Sequence, residues 1–178
     1  MISEQAKQGL NFIFTRAATD SLALEPDDFI VIEPAEGGFL DPKMPYMVLL
    51  TIASYSFRLL IIFHLAADRD TLDYFAKSTN ETELLNVFPE ICNLCCGAMN
   101  RDLGKHFPHL GMSTPSVLDG KCLPFIQSLK PTHVTQHRIS INRQVVMHAT
   151  LCLTSFAPID FQVDRSAPQE LTGGLELF

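Results

Sequence analysis

The sequence lacks several features that would assign it to a common functional class. Tryptophan is absent, and 13 phenylalanines supply most of the aromatic side chains of a chain that is 47% hydrophobic. Long basic runs are also absent, and 20 acidic residues outnumber 13 lysines and arginines, for a formal net charge of −7. A protein that binds nucleic acid needs clustered positive charge. The composition therefore argues against a nucleic-acid partner.

Cysteine is too sparse and too irregularly spaced for a disulfide framework. There are five, an odd number, and Cys92, Cys95 and Cys96 lie close together. A redox Cys-x-x-Cys motif belongs at a helix start after a strand, and a zinc site needs further ligands at a recognisable spacing. Neither context surrounds these residues, so we predict small buried thiols. The first residues also lack the basic start and apolar segment of a signal peptide, and we expect a cytoplasmic protein.

One long apolar run, residues 46–67, approaches the ~20 residues that span a bilayer. Arg58 stands at its middle, where a charge costs ~2.5–3.5 kcal/mol in a membrane. Just before it, Ser54, Tyr55 and Ser56 are typical of a turn between two β-rich segments. The run therefore predicts a buried β-hairpin, and no membrane partner.

The pattern of the whole chain predicts an α+β fold. The helix that ends near His106 starts near either Thr82 or Asn86. Pro89 is acceptable in a first helical turn but would kink an interior, so it favours the start near Asn86. The segment from Lys121 to Lys130 is either a loop or a single helical turn. The predicted elements are a helix over 3–24 capped by Ser3, a strand over 28–33, hairpin strands over 46–53 and 57–66, a helix begun by Asp68 or Asp70, a helix to about His106, a strand through Val117 and Leu118, and strands over 133–141 and 144–156.

This order predicts a largely antiparallel sheet with long helices packed on one face. We expect one domain over residues 1–163 and a C-terminal tail over residues 164–178. An exposed edge strand of such a sheet tends to be covered by another segment or extended by a strand of a second chain. A homodimer is therefore compatible with this fold. His64 and His148 fall in apolar strands, where histidines are more often interior residues than metal ligands.

Polar residues form a stripe on the helix that ends near His106. A helix turns about 100° per residue, so Asn86, Glu90, Asn93 and Gly97 share one face. A broader apolar arc is expected to pack on the core, and it comprises Val87, Ile91, Leu94, Cys95 and Ala98. An exposed Glu and Asn are most often only part of a solvated face. Together, however, a carboxamide can hold a water for attack on phosphorus while a carboxylate pairs with a partner's lysine.

The run Glu90-x-x-Asn93-x-x-x-Gly97, followed by Ser113-x-Pro115-x-Val117-x-x-Gly120, resembles the CheX branch of the CheC/CheX/FliY chemotaxis phosphatases. The family pattern places Asp or Ser four residues before the Glu, and here that position holds Asn86. Pro115 also comes one residue earlier than is usual in the family. The order of predicted elements is similar to the CheX layout as well. A single site of this kind, rather than two, makes the CheX branch the closer match.

The resemblance implies a phosphatase that acts on the aspartyl phosphate of a CheY-like response regulator. Asn93 would orient the attacking water, and Glu90 would pair with the lysine of the receiver domain. Asn86, Gly97 and Pro115 would contact the partner. Mg²⁺ would belong to the partner's receiver domain, and no cofactor of the chain's own is implied. Because Asn is a good N-cap, Asn86 is able to keep a structural role at the helix start.

Two alternatives remain open at this point. The departure at Asn86 motivates a non-catalytic module of the same fold that binds a response regulator or a flagellar switch component. The other alternative is an unrelated α+β domain that binds a small ligand under its sheet, in which case Glu90 and Asn93 are only surface residues.

Overall fold

The computed structural model describes residues 1–35 and 44–165. Within these residues, seven strands form one sheet in which every pairing between strands is antiparallel. The spatial order is β1-β6-β7-β3-β2, and β2 pairs at its other edge with both β4 and β5. The strands are β1 (Ile30–Pro34), β2 (Tyr46–Ala53), β3 (Phe57–Leu65), β4 (Gly111–Met112), β5 (Ser116–Asp119), β6 (His133–Ile141) and β7 (Val145–Ser155).

Two long helices, α1 (Glu4–Leu22) and α3 (Glu81–Gly104), pack side by side on one face of the sheet. Between β3 and α3 lies a short helix, α2 (Arg69–Thr71), which continues as a π-helical turn over Leu72–Ala76. A 3-10 helix spans Gly120–Leu129. It packs on the opposite face of the sheet, which therefore lies between two unequal layers.

Each face of the sheet has its own apolar cluster because side chains alternate along a strand. On the helix face, Val48, Ile61 and Leu151 belong to the large cluster that also contains the buried residues of α1 and α3. The opposite face carries a smaller cluster. Its buried members are Met47, Leu60, Ile62, Ile126 and Cys152. Burial on both faces explains why β2 and β3 are nearly continuous apolar runs in the sequence.

The structure confirms the α+β fold class and the β-hairpin over residues 46–66. Tyr46 pairs with Leu65 and Ala53 with Arg58, so the turn lies where the sequence predicted it. No helix in the described part of the chain is long and apolar enough to cross a membrane. The final hairpin is also confirmed. Residues 142–144 connect its strands, the Gln144 N–H donates to the Ile141 carbonyl at 3.0 Å, and the central residues of this β-turn, Asn142 and Arg143, have φ angles of 53° and 61°.

Of the two starts considered for α3, the favoured one near Asn86 is wrong and the alternative near Thr82 is correct to within one residue. The helix begins at Glu81, and the Asn80 side chain caps it by accepting a hydrogen bond of 2.9 Å from the Thr82 N–H. Pro89 therefore lies in the helix interior. Burial of Leu84 and Phe88 in the core outweighs the ~3 kcal/mol that an interior proline costs. As a consequence, Asn86 is a mid-helix residue and has no capping role.

Two smaller differences concern the segment after α3. The single strand predicted through Val117 and Leu118 is two short strands, β4 and β5, separated by residues 113–115. The segment left open between a loop and one helical turn is a ten-residue 3-10 helix. The division into a domain and a tail at residue 164 stays a prediction, because residues 166–178 lie outside the described part of the chain.

Candidate functional site

The outer face of α3 is fixed by what its inner face buries. Relative to Glu90, the buried side chains of the helix fall on an arc on the opposite side, since each residue turns the helix by about 100°. These residues are Leu84, Phe88, Pro89, Ile91, Cys92, Cys95, Cys96, Met99 and Leu103. They pack against α1 and the sheet, so the orientation of the outward stripe is set by more than five helical turns of core contacts.

Glu90 is exposed and Asn93 is half-buried beside it on the same side of α3. Among the described residues, neither side chain forms a hydrogen bond or an ion pair. Both therefore keep their full hydrogen-bonding capacity for a partner. The arrangement meets the requirement that a pair acting on another protein must face outward.

Asn86 and Gly97 extend the stripe in either direction. Asn86 is exposed one turn before Glu90, and Gly97 is half-buried one turn after Asn93. Pro115 is half-buried in the connection between β4 and β5 and does not line the groove beside Asn93. The fold thus brings four of the five predicted site residues onto one face of α3, and places Pro115 at the edge of the sheet.

The expectation that Val87 and Leu94 pack on the core is wrong. Val87 is 41% exposed and Leu94 is 65% exposed, whereas Ile91 and Cys95 of the same predicted arc are buried. The buried arc is centred further round the helix because Leu84, Phe88 and Met99 face α1 and the sheet. Had the apolar arc been centred on these three residues, the sequence would have placed Leu94 near the outward stripe.

A groove of about 710 Å³ separates α3 from α1 beside the stripe. Asn93, Leu94 and Gly97 line its α3 side, and Arg16 and Asp20 line its α1 side. The groove runs further along α3 past Arg101 to His106. Asn93 therefore stands at the boundary between the exposed helix face and an open groove, where a water or a partner side chain has access.

An ion-pair cluster joins the two helices at the end of this groove. Asp102 of α3 forms a salt bridge with Arg16 of α1, and Lys105 donates to the same carboxylate at 3.2 Å. Partial burial raises the pKa of Asp102, but the hydrogen bonds from Arg16 and Lys105 more than offset this and hold it below its ordinary value. The cluster fixes the spacing of α1 and α3. The sequence gives only the local signal, the three-residue spacing of Asp102 and Lys105.

The cysteines of α3 are confirmed as buried thiols. Cys92, Cys95 and Cys96 have no exposed surface, and burial raises the pKa of each thiol well above its ordinary value. A reactive or metal-binding cysteine needs the opposite shift. In the described ranges, no group of three or more His, Cys, Asp or Glu side chains is arranged to hold a metal ion.

His64 is an interior residue, as predicted. Its Nε2 atom lies 2.9 Å from the Thr150 hydroxyl, and burial, with the nearby charge of His148, lowers its pKa to about 4. His148 is half-buried on the neighbouring strand, directly opposite His64. This pair lies on the sheet face that α3 does not cover.

Comparison with known proteins identifies the fold. No family model matches the sequence, and no curated protein matches it significantly. Solved structures do match, and they define a class: the chain has the fold of the CheC/CheX/FliY chemotaxis proteins. The resemblance predicted from the sequence is thus confirmed in the fold.

Three of these structures show the extent of the match. The first is a chain of the CheX–CheY–BeF₃–Mg²⁺ complex from Borrelia burgdorferi, with 13% identity and a TM-score of 0.59 over 83% of this chain and 97% of that chain. CheX from Vibrio vulnificus has 13% identity and a TM-score of 0.61, over 81% of this chain and 95% of that chain. FliY from Thermotoga maritima has 14% identity and a TM-score of 0.52, over 86% of this chain and 91% of that chain. The match spans nearly the whole length of each relative.

Proposed function

We propose that the protein is a cytoplasmic, CheX-like phosphatase that hydrolyses the aspartyl phosphate of a CheY-like response regulator. The observation that carries this proposal is the outward position of Glu90 and Asn93 on one face of a rigidly packed helix, with neither side chain engaged by the rest of the described chain. A similar fold occurs in a crystallised complex with CheY, BeF₃ and Mg²⁺. This supports a phosphorylated receiver domain as the partner.

In the proposed reaction, α3 docks against the receiver beside its phosphorylated aspartate. The Asn93 carboxamide accepts a hydrogen bond from a water molecule and donates one to the receiver or the phosphoryl group, which holds the water in line with phosphorus. A new P–O bond forms to that water, and the bond between phosphorus and the aspartate oxygen breaks. The aspartate leaves as a carboxylate, and inorganic phosphate is released. Positioning of this kind is the main contribution a protein makes to phosphoryl transfer.

Glu90 has a different role in this proposal. Its carboxylate pairs with a lysine of the receiver, which fixes the approach of Asn93 and orients the two proteins. Because an interaction of this kind is made equally in the ground state and the transition state, its loss raises KM more than it lowers kcat. Mg²⁺, bound by the receiver, neutralises charge on the phosphoryl group. Asn86, Gly97 and Pro115 are proposed as further partner contacts.

The test is the decay of a phosphorylated receiver with and without the protein, over a panel of CheY-like receivers. Asn93→Ala is expected to abolish the acceleration, a loss of ~3 kcal/mol in transition-state stabilisation by analogy with removing one hydrogen bond to the reacting group. Since Asn93 makes no hydrogen bond in the described structure and alanine is the better helix former, the variant should melt no lower than the wild-type protein. Gln144→Ala removes an exposed carboxamide at the β6–β7 turn and is the matched control. An Asn93→Ala protein that works as fast as wild type would contradict the proposed role.

A second candidate function is a non-catalytic docking module of the same fold. It is favoured by Asn86, which stands in a position that is Asp or Ser in the family pattern. In that case the wild-type protein binds the activated receiver and leaves its dephosphorylation rate unchanged. The same decay assay, combined with a binding titration, separates the two functions. The third alternative, an unrelated α+β domain, is not supported by the fold.

A further inference from the structure

Leu94 is an apolar side chain left exposed at the centre of the candidate site. It follows Asn93 directly, lies one turn after Glu90, and is 65% exposed in the middle of a 24-residue helix. Val87, 41% exposed, lies one turn before Glu90 on the same side. The part of an apolar side chain that remains in water adds little to the stability of the fold, but covering it by a partner contributes favourably to the free energy of binding.

Arg101 occupies the C-terminal end of the same stripe. It follows Gly97 by four residues, so it lies directly along the helix from it. Its Nη1 atom lies only 3.7 Å from the place where a Cβ atom on Gly97 would stand. The guanidinium group is therefore folded back along the helix over Gly97. Its level along the helix axis is about 6 Å from that of Asn93, since four residues rise by that distance.

Arg101 does not take part in any of the ion pairs seen within the described ranges. The neighbouring carboxylate of Asp102 is already bonded by Arg16 and Lys105. Asp20 faces the same groove from α1. Arg101 is thus an exposed cation beside the stripe, while the exposed carboxylates of Glu83 and Glu90 lie toward the other end of the helix.

From this arrangement we infer that Leu94 and Arg101 extend the docking surface beyond Glu90 and Asn93, and that they select a receiver with an apolar patch flanked by a lysine on one side and a carboxylate on the other. The inference rests on the proposed function, of which it specifies the partner surface. Glu90 and the Arg101 guanidinium are separated by about 10 Å along the axis, seven residues of rise. Opposite charges at the two ends of an apolar contact permit only one direction of docking, because the reverse direction brings like charges together.

Arg101 is assigned to a carboxylate of the receiver and not to the phosphoryl group. The amide of Asn93 and the water it holds must lie within about 3 Å of each other, whereas the guanidinium is a full helical turn away along the axis. Arg101 therefore acts on binding and on orientation, without a part in the chemical step. This distinction determines which kinetic constant each substitution changes.

The first measurement is a binding titration with a CheY-like receiver held in its activated form by BeF₃⁻ and Mg²⁺. Leu94→Ala is expected to weaken binding about tenfold, the effect of losing one covered leucine side chain, at every salt concentration. Arg101→Gln is expected to weaken binding about fivefold at low salt and to have little effect at high salt, because salt screens the attraction. Arg101→Lys should restore most of the low-salt affinity if a point charge is what matters.

The second measurement is the decay of the phosphorylated receiver at varied receiver concentration. Both variants should raise KM and leave kcat at the wild-type value, whereas Asn93→Ala lowers kcat. The matched controls are Leu129→Ala, an exposed leucine on the 3-10 helix at the opposite face, and Arg143→Gln, an exposed arginine at the β6–β7 turn. Neither control should alter binding. Because all four positions are exposed, thermal unfolding should change little.

Several outcomes would overturn the inference. Unchanged affinity in Leu94→Ala and Arg101→Gln, with a wild-type protein that accelerates decay, means that the docking surface does not include them. A fall in kcat for Arg101→Gln means that the arginine acts on the phosphoryl group instead. A wild-type protein that binds no activated receiver and accelerates no decay refutes the proposed function itself. One that binds without acceleration refutes only the catalysis, and the titration still tests the docking surface.

Discussion

Replacement of Gly97 by alanine should raise the stability of the protein and weaken its interaction with the receiver. Gly97 lies in the interior of α3, where glycine is less favourable than alanine by roughly 0.5–1 kcal/mol. A Cβ atom added there meets only the Arg101 Nη1 atom, at 3.7 Å, which is an ordinary van der Waals contact with the end of a flexible side chain. The variant is therefore expected to be more stable by most of that amount. In a domain of this size, the gain raises the melting temperature by about 1–4 °C.

The same methyl group should weaken the interaction with the receiver. The methyl group lies on the proposed docking surface, between Leu94 and Arg101. An added methyl group in a closely packed interface costs about 1–3 kcal/mol of binding free energy. KM for the phosphorylated receiver should therefore rise by about 5- to 150-fold, while the melting temperature increases. Calorimetry and the receiver decay assay measure the two effects on one sample.

Gly104→Ala is the matched control for this experiment. It makes the same chemical change on the same helix, at its last residue, where an added Cβ atom meets nothing within 4 Å. It should give an equal or smaller stabilisation and leave KM unchanged. If Gly97→Ala is stabilised and still binds the receiver as tightly as wild type, the partner does not pass over Gly97. If it is destabilised, the local helix geometry described above is wrong.

Two further predictions concern stability. Burial lowers the pKa of both His64 and His137 to about 4, so the native state keeps them neutral while the unfolded chain binds protons below about pH 6.5. The stability that each neutral histidine contributes should be nearly constant above about pH 7.5 and should fall by about 1–2 kcal/mol as the pH drops from about 7 to about 5, where the unfolded chain takes up the proton and the native state does not. Urea unfolding of His137→Phe should show a shallower fall than wild type. Gly120→Ala should lose about 1–3 kcal/mol, since its Cβ atom would stand 2.8 Å from the Met44 carbonyl oxygen; an unchanged urea midpoint would show that the two backbones can separate freely.

Much of the fold could be predicted from the sequence because its signals are local. Two β-rich apolar runs on either side of Ser54, Tyr55 and Ser56 identified the hairpin of β2 and β3, and Arg58 argued against a membrane span. Ser3 marked the start of α1, where its hydroxyl accepts a hydrogen bond of 3.0 Å from the Ala6 N–H. Asn142 and Arg143 marked the last turn. Each of these features depends on residues only a few positions apart, so short-range sterics and hydrogen bonds are sufficient to specify them.

The motif residues of the candidate site were also found by local spacing. Glu90, Asn93 and Gly97 share a helix face by the geometry of the α-helix alone, and the described structure confirms that this face is the outer one. The prediction from the sequence was wrong at the start of α3, where two local rules favoured different residues. Pro89 argued for a start near Asn86, but the cap at Asn80 and the burial of Phe88 extended the helix by more than a turn.

Only the tertiary structure decided which side of α3 the protein leaves to a partner. The core contacts of α3 with α1 and the sheet rotate the helix so that Leu94 is exposed and Cys95 is buried, although both belong to one apolar arc in the sequence. Likewise, a groove lies beside Asn93 and Gly97 because the packing of α1 against α3 sets the distance between the two helices. The salt bridge between Arg16 and Asp102 is part of that packing. Helical periodicity fixes the angles between side chains, but the absolute orientation of the helix depends on what it packs against. That packing comes from residues far apart in the chain.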